Sequence, residues 1–151
     1  MKKSLIFALA LCLLILAGCR ATLEDRPVPE EATVDWGITM TAENVTPTGC
    51  TLLVTQAGCD GIGELDCGVD YLLQGLTEDG WRPVKKIRNY DIASEAYPLN
   101  DRTQTFEIDW ASQHGKLPTG TYRIGKVVLT RNASGKLEEQ YFYSEPFTIE
   151  K

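Results

Sequence analysis

The chain has 151 residues, with 15 basic against 21 acidic side chains and a formal charge of −6 at neutral pH. That balance disfavours nucleic acid and anionic headgroups as partners, because an acidic surface is repelled by both. The one basic run, Lys85-Lys86-Ile87-Arg88, reads as a solvated strand edge.

At the N-terminus, Lys2-Lys3 precede an apolar run over 5–16, which closes on Leu16-Ala17-Gly18-Cys19. The positive start and short apolar core fit a processed signal better than a membrane span or a generic secretory signal. This stretch resembles a bacterial lipoprotein signal. The resemblance implies removal of residues 1–18, Cys12 with them, and a lipid on Cys19 that keeps the protein on the extracytoplasmic face of the cell membrane. In a Gram-negative host, Arg20 in place of an aspartate allows the outer membrane. Two or more acyl chains anchor stably where one does not. Removal of two of the 15 basic residues leaves 13 against 21 acidic ones, a net charge of −8.

Residues 19–33 then read as the lipidated cysteine and a flexible tether. The segment RATLEDRPVPEEAT is polar, carries two prolines and has little apolar surface to bury. A coil of this length holds its cargo on the order of 20 Å from the bilayer. Residues 34–151 suffice for one domain and are too few for two.

Along the domain, residues 36–45 alternate, with Ile38 and Met40 on one face, and 50–55 continue as a β-branched strand after Pro47-Thr48-Gly49. A third strand is expected over 68–76. The turn Glu78-Asp79-Gly80 leads into a fourth over 81–87. Residues 88–101 read as a long loop with a short helical turn near 93–96. Strict alternation returns over 103–110, with Phe106, Ile108 and Trp110 on one face, and 111–115 look like one helical turn closed by glycine. The last strands are expected over 122–130 and 139–149, joined by the turn Asn132-Ala133-Ser134-Gly135.

About seven short strands without a long amphipathic helix predict an all-β, immunoglobulin-like β-sandwich. In Leu117-Pro118-Thr119-Gly120-Thr121-Tyr122, a tyrosine opening a late strand fits a tyrosine corner, with its hydroxyl bonded to backbone upstream. The runs Gly37-Ile38-Thr39-Met40-Thr41-Ala42-Glu43-Asn44-Val45-Thr46-Pro47-Thr48-Gly49, Gly63-Glu64-Leu65, and residues 117–126 resemble bacterial Ig-like domains of clostridial surface lipoproteins. The resemblance covers residues 36–149 and implies the fold. It carries over no catalytic residue.

Three cysteines remain in the domain. Cys59 and Cys67 bracket a Gly-rich turn and are the favoured disulfide of the three pairings; Cys50 alternates with Leu52 and Val54 as a small buried side chain. Zinc is disfavoured, because no C-x-x-C spacing occurs and His114 is the only histidine. Asp60, Glu64, Asp66 and Asp70 offer oxygen ligands without an EF-hand spacing, so a solvated acidic turn is expected rather than calcium. No G-x-S-x-G elbow exists, and His114 reads as an ordinary surface histidine. Neither a metal nor a cofactor is expected. Trp81, Tyr90 and Tyr97 follow a hairpin turn or sit in the long loop, and they are the candidate partner surface. The function expected is a non-catalytic binding module for a protein or glycan. The alternative is an inhibitor or accessory subunit of an envelope enzyme, and an enzyme is the last choice.

Overall fold

The computed structural model describes residues 21–58, 62–88, 95–131 and 134–151. Ten strands follow in chain order: β1 (Ile38–Glu43), β2 (Gly49–Gln56), β3 (Leu65–Gly68), β4 (Leu72–Thr77), β5 (Gly80–Pro83), β6 (Ala96–Pro98), β7 (Thr103–Asp109), β8 (Gly120–Arg131), β9 (Leu137–Tyr143) and β10 (Phe147–Ile149). One helical turn, α1 (Ala111–His114), sits between β7 and β8. Two antiparallel sheets form a sandwich. The smaller has the order β1-β2-β7, and all remaining strands gather around β8.

Alternation builds the small sheet. In β2, Cys50, Leu52, Val54 and Gln56 point inward and are buried, while Thr51, Leu53 and Thr55 lie on the partly exposed face. Burying a side chain such as Leu52 or Val54 is worth roughly 1.5–3 kcal/mol. Trp110, just beyond β7, is fully buried and donates its indole N–H to the Pro47 carbonyl at 3.0 Å. The chain then makes the helical turn α1 and stops at Gly115. The φ of 79° there belongs to the left-handed region that glycine tolerates.

β8 is the spine of the large sheet. On one side it pairs with β3 and β4, on the other with β9 and β10. The expected third strand is therefore two strands. Cys67 pairs with Val128 and Leu72 with Gly125, so residues 68–71 stand opposite only 126–127 and form a bulge. The expected last strand is broken too. Tyr143 pairs with Gly125 and Phe147 with Tyr122, leaving 144–146 opposite 123–124. Pro146 has no N–H to contribute to a ladder. Ser144 repairs the gap: its backbone N–H donates to the Ile124 carbonyl at 2.8 Å, and its hydroxyl accepts from the Ile124 N–H at 3.1 Å.

Two further expectations change. The loop over 88–101 contains a strand, β6, antiparallel to β3. Ala96 is part of that strand; residues 93 and 94 of the expected helical turn lie outside the described residues. The segment 21–33 is docked on the domain rather than free. The Ala21 N–H donates to the Lys116 carbonyl, Leu23 bridges Val84, the Lys85 N–H donates to the Thr22 carbonyl, and the Ala32 N–H donates to the Tyr141 carbonyl. Composition marks a segment with little apolar surface of its own to bury. The large sheet supplies partners that composition does not reveal.

Candidate functional site

Tyr122 opens the inward row of β8. Its ring is buried, and its hydroxyl donates to the Pro118 carbonyl four residues upstream at 2.9 Å. This is the geometry of a tyrosine corner. Phe147 stacks beside it, and the same phenylalanine stacks on Trp110, so the corner is continuous with the core.

Further along that row stands Lys126, only 1% exposed. Its ammonium donates to the Asp70 carbonyl at 3.0 Å and lies 3.9 Å from the centre of the Phe106 ring on β7. The bulge over 68–71 supplies that carbonyl, and the lysine caps it. Among the described residues, no carboxylate comes within ion-pair distance of this ammonium. Burial pushes its pKa down, while Cys67 and Asp70 pull it partly back. Period-two alternation through Tyr122, Ile124, Lys126 and Val128 is the sequence signal that places this lysine inward.

The outward face of the same strand carries Arg123. Its guanidinium lies 4.5 Å from the centre of the Trp81 ring and 3.8 Å from that of Tyr143. Arg123 Nε donates to Gln74 Oε1 at 2.9 Å, and Nη1 pairs with the Glu31 carboxylate at 3.2 Å. Tyr143 donates its hydroxyl to the Pro29 carbonyl at 2.8 Å. Two aromatic rings and a cation thus hold the strap 21–33 across the sheet.

The expected aromatic surface does not come together as one patch. Trp81 pairs with Leu76 and is taken up by Arg123, whereas Tyr97 pairs with Cys67. Along β8 those positions are roughly 20–25 Å apart at the usual strand rise. Tyr97 meets Phe106 edge-on, with ring centres 5.6 Å apart, and donates its hydroxyl to Glu95 at 2.7 Å. Tyr90 lies outside the described residues. Beside Tyr97, a groove of about 480 Å³ runs between β7 and the bulge, lined by Val69, Tyr71, Phe106 and Ile108 among others. β7 is one of the two edge strands of the small sheet. The Tyr71 hydroxyl, in the wall of that groove, is buried without a hydrogen-bond partner.

The thiols are quiet. Cys50 and Cys67 are both buried and free, with pKa values pushed by burial to about 12 and about 11. Neither carries appreciable thiolate near neutral pH. Cys59, the other half of the expected disulfide, lies outside the described residues, as do Cys19 and Asp60. Glu64, Asp66 and Asp70 do not converge; Asp70 instead faces Lys86 at 3.9 Å. Among the described residues, no group of three or more metal-ligating side chains is brought together.

His114 corrects the surface reading. It is 2% exposed, with Nδ1 3.2 Å from the Lys85 carbonyl and Nε2 buried without a partner. α1 turns it inward, beneath residues 84–85. Burial lowers its pKa first, and the neighbouring Lys86 adds to the effect; the Lys85 carbonyl opposes them. The unfolded chain, with an ordinary imidazole near 6.5, therefore binds the proton that the folded chain resists. The stability held above about pH 6.5 is lost as the pH falls toward the folded pKa. Calorimetry is expected to show a falling melting temperature from pH 7.5 to 5.5. His114→Gln should flatten that slope, and an unchanged slope would place the titration elsewhere.

Comparison with known proteins agrees with this architecture. Searches of curated proteins and of solved structures return no match. The profile described as bacterial Ig-like domain matches residues 34–148. With its two antiparallel sheets, tyrosine corner and that match, the chain belongs to the bacterial Ig-like domain family.

Proposed function

We propose that the protein is a lipid-anchored, extracytoplasmic Ig-like module that acts by binding rather than by catalysis. The observation that carries this reading is the family match over 34–148, which follows the strap and, before it, a lipoprotein-type signal of residues 1–18 with Cys19 next in sequence. The binding element favoured by the geometry is the edge of β7 with its adjoining groove, where Tyr97 and Phe106 stand together. An edge strand presents a row of backbone donors and acceptors, and an extended segment of another protein can pair with it. Trp81 is spent on Arg123 and leaves the partner surface.

The experiment has two readouts. Intact mass of the protein extracted from membranes is expected to show residues 1–18 missing and Cys19 diacylated. Cys19→Ser should release the protein or leave its signal uncleaved. A processed Cys19→Ser protein that stays on the membrane would refute the anchor. A photo-cross-linking side chain at Thr105 on β7 should give discrete protein adducts in intact envelopes, and one at Glu139 on β9 should not. Equal adducts from both positions would remove the edge assignment.

A further inference from the structure

The end of the sandwich where the described chain begins has an unusual charge. Residues 21–22, 85–88 and 113–116 are tied together there. Ala21 N–H donates to the Lys116 carbonyl at 3.3 Å and Lys85 N–H to the Thr22 carbonyl at 2.7 Å. Ile87 N–H donates to the Gln113 carbonyl at 2.7 Å, and His114 Nδ1 lies 3.2 Å from the Lys85 carbonyl. These segments bring Lys85, Lys86, Arg88 and Lys116 to one end of a domain that is otherwise strongly acidic. Lys85, Arg88 and Lys116 are exposed, and Lys86 is half-buried against Asp70. Ile87, in the middle of the run, keeps 49% of its surface in water.

Cys19 stands two residues before Ala21. Two residues reach no farther than about 7 Å. Because residues 21–33 are committed to the sheet, they do not act as a spacer, and a lipid on Cys19 would hold this end against the bilayer.

We infer that the end of the sandwich formed by residues 85–88 and 112–116 is a membrane-facing surface that takes anionic phospholipid headgroups. The inference rests on the reading of Cys19 as the lipidated residue. Exposed basic side chains would lie within a Debye length of the headgroups, with Lys85 and Lys116 carrying the charge, since Asp70 faces Lys86 and Glu24 and Asp109 stand nearby. Ile87 is an apolar side chain positioned to enter the headgroup layer between them. The sequence-level expectation that anionic lipid repels the protein holds for the net charge and fails for this face.

The test uses the purified full mature protein in vesicles of phosphatidylcholine alone, or with one third phosphatidylglycerol. Backbone amide exchange over 85–88 and 112–116 is expected to slow several-fold on the anionic vesicles, and 0.5 M salt should abolish the difference. The double variant Lys85→Glu, Lys116→Glu should lose it while keeping the wild-type melting temperature. Each basic residue near the surface is worth about fivefold in lipid partition. Equal exchange on both lipids, or protection retained by the double variant, overturns the inference. So does equal protection by a soluble polyanion without vesicles. Intact mass of the same preparation scores the anchor separately. Lipidated Cys19 without lipid-dependent protection removes this surface alone. Unlipidated Cys19 with protection keeps the surface and removes the anchor, and unlipidated Cys19 without protection removes both.

Discussion

Trp110→Ala is expected to cost about 3–5 kcal/mol, the range for emptying a large aromatic site in a core. In a domain of this size that is a fall in melting temperature on the order of 10–20 °C. Trp110 is the largest fully buried side chain, and it packs flat against Phe147, with ring centres 5.9 Å apart. The neighbouring backbone is tied in two places, through Ala111 N–H to the Thr48 carbonyl and Leu117 N–H to the Pro47 carbonyl, so the cavity cannot readily collapse. Trp110→Phe keeps an aromatic ring but removes the indole donor to the Pro47 carbonyl, which still accepts from Leu117, and leaves a smaller void. That change should cost less than the alanine variant, about 1–3 kcal/mol. If the alanine variant melts within a few degrees of wild type, Trp110 is not the centre of the core.

Gly125→Val is expected to destabilise the domain by about 1–3 kcal/mol, the usual cost of forcing extra carbon into a packed site. The Tyr143 ring lies over Gly125 from the paired strand. A Cβ at that position would meet ring atoms at 2.5 and 2.8 Å. The displaced ring also carries the contact to Arg123 and the hydroxyl bond to Pro29. The variant should therefore loosen residues 21–33 as well as the sheet. Limited proteolysis is expected to cut that segment in the variant under conditions where wild type stays intact. Equal cleavage and an unchanged melting curve would show that the ring does not depend on the glycine.

The legible part of the fold was its alternation. β1, β2, β7 and β8 each show a period of two over enough residues to be placed from sequence, and Phe106, Ile108 and Trp110 share the side assigned to them. The helical turn closed by Gly115 was legible because one glycine ends it. β6 is three residues long, too short for any period, and exists because β3 offers it an edge. The two breaks opposite β8 depend on register between distant segments. Pro146 hints at one, and Gly68 is the local mark of the bulge at 68–71. Lys126 occupies an inward position of β8. A lysine at an inward position of a strict alternation needs a buried acceptor, and here the bulge provides one. His114 was misplaced because a polar turn, Ser112-Gln113-His114-Gly115, looks solvated until residues 84–85 pack over it. Trp81 looked free for the same kind of reason: Arg123, its partner, is 42 residues away in sequence.

The strap has a mechanical consequence. When the chain is pulled from its N-terminus, the load first reaches the Ala21–Lys116 hydrogen bond and the single bridge between Leu23 and Val84. Those contacts open one after another, like a zip, rather than together. Residues 21–33 released in this way supply roughly 45 Å of extra length at full extension. A pull on residue 21 would therefore lengthen this segment before it opened the two sheets.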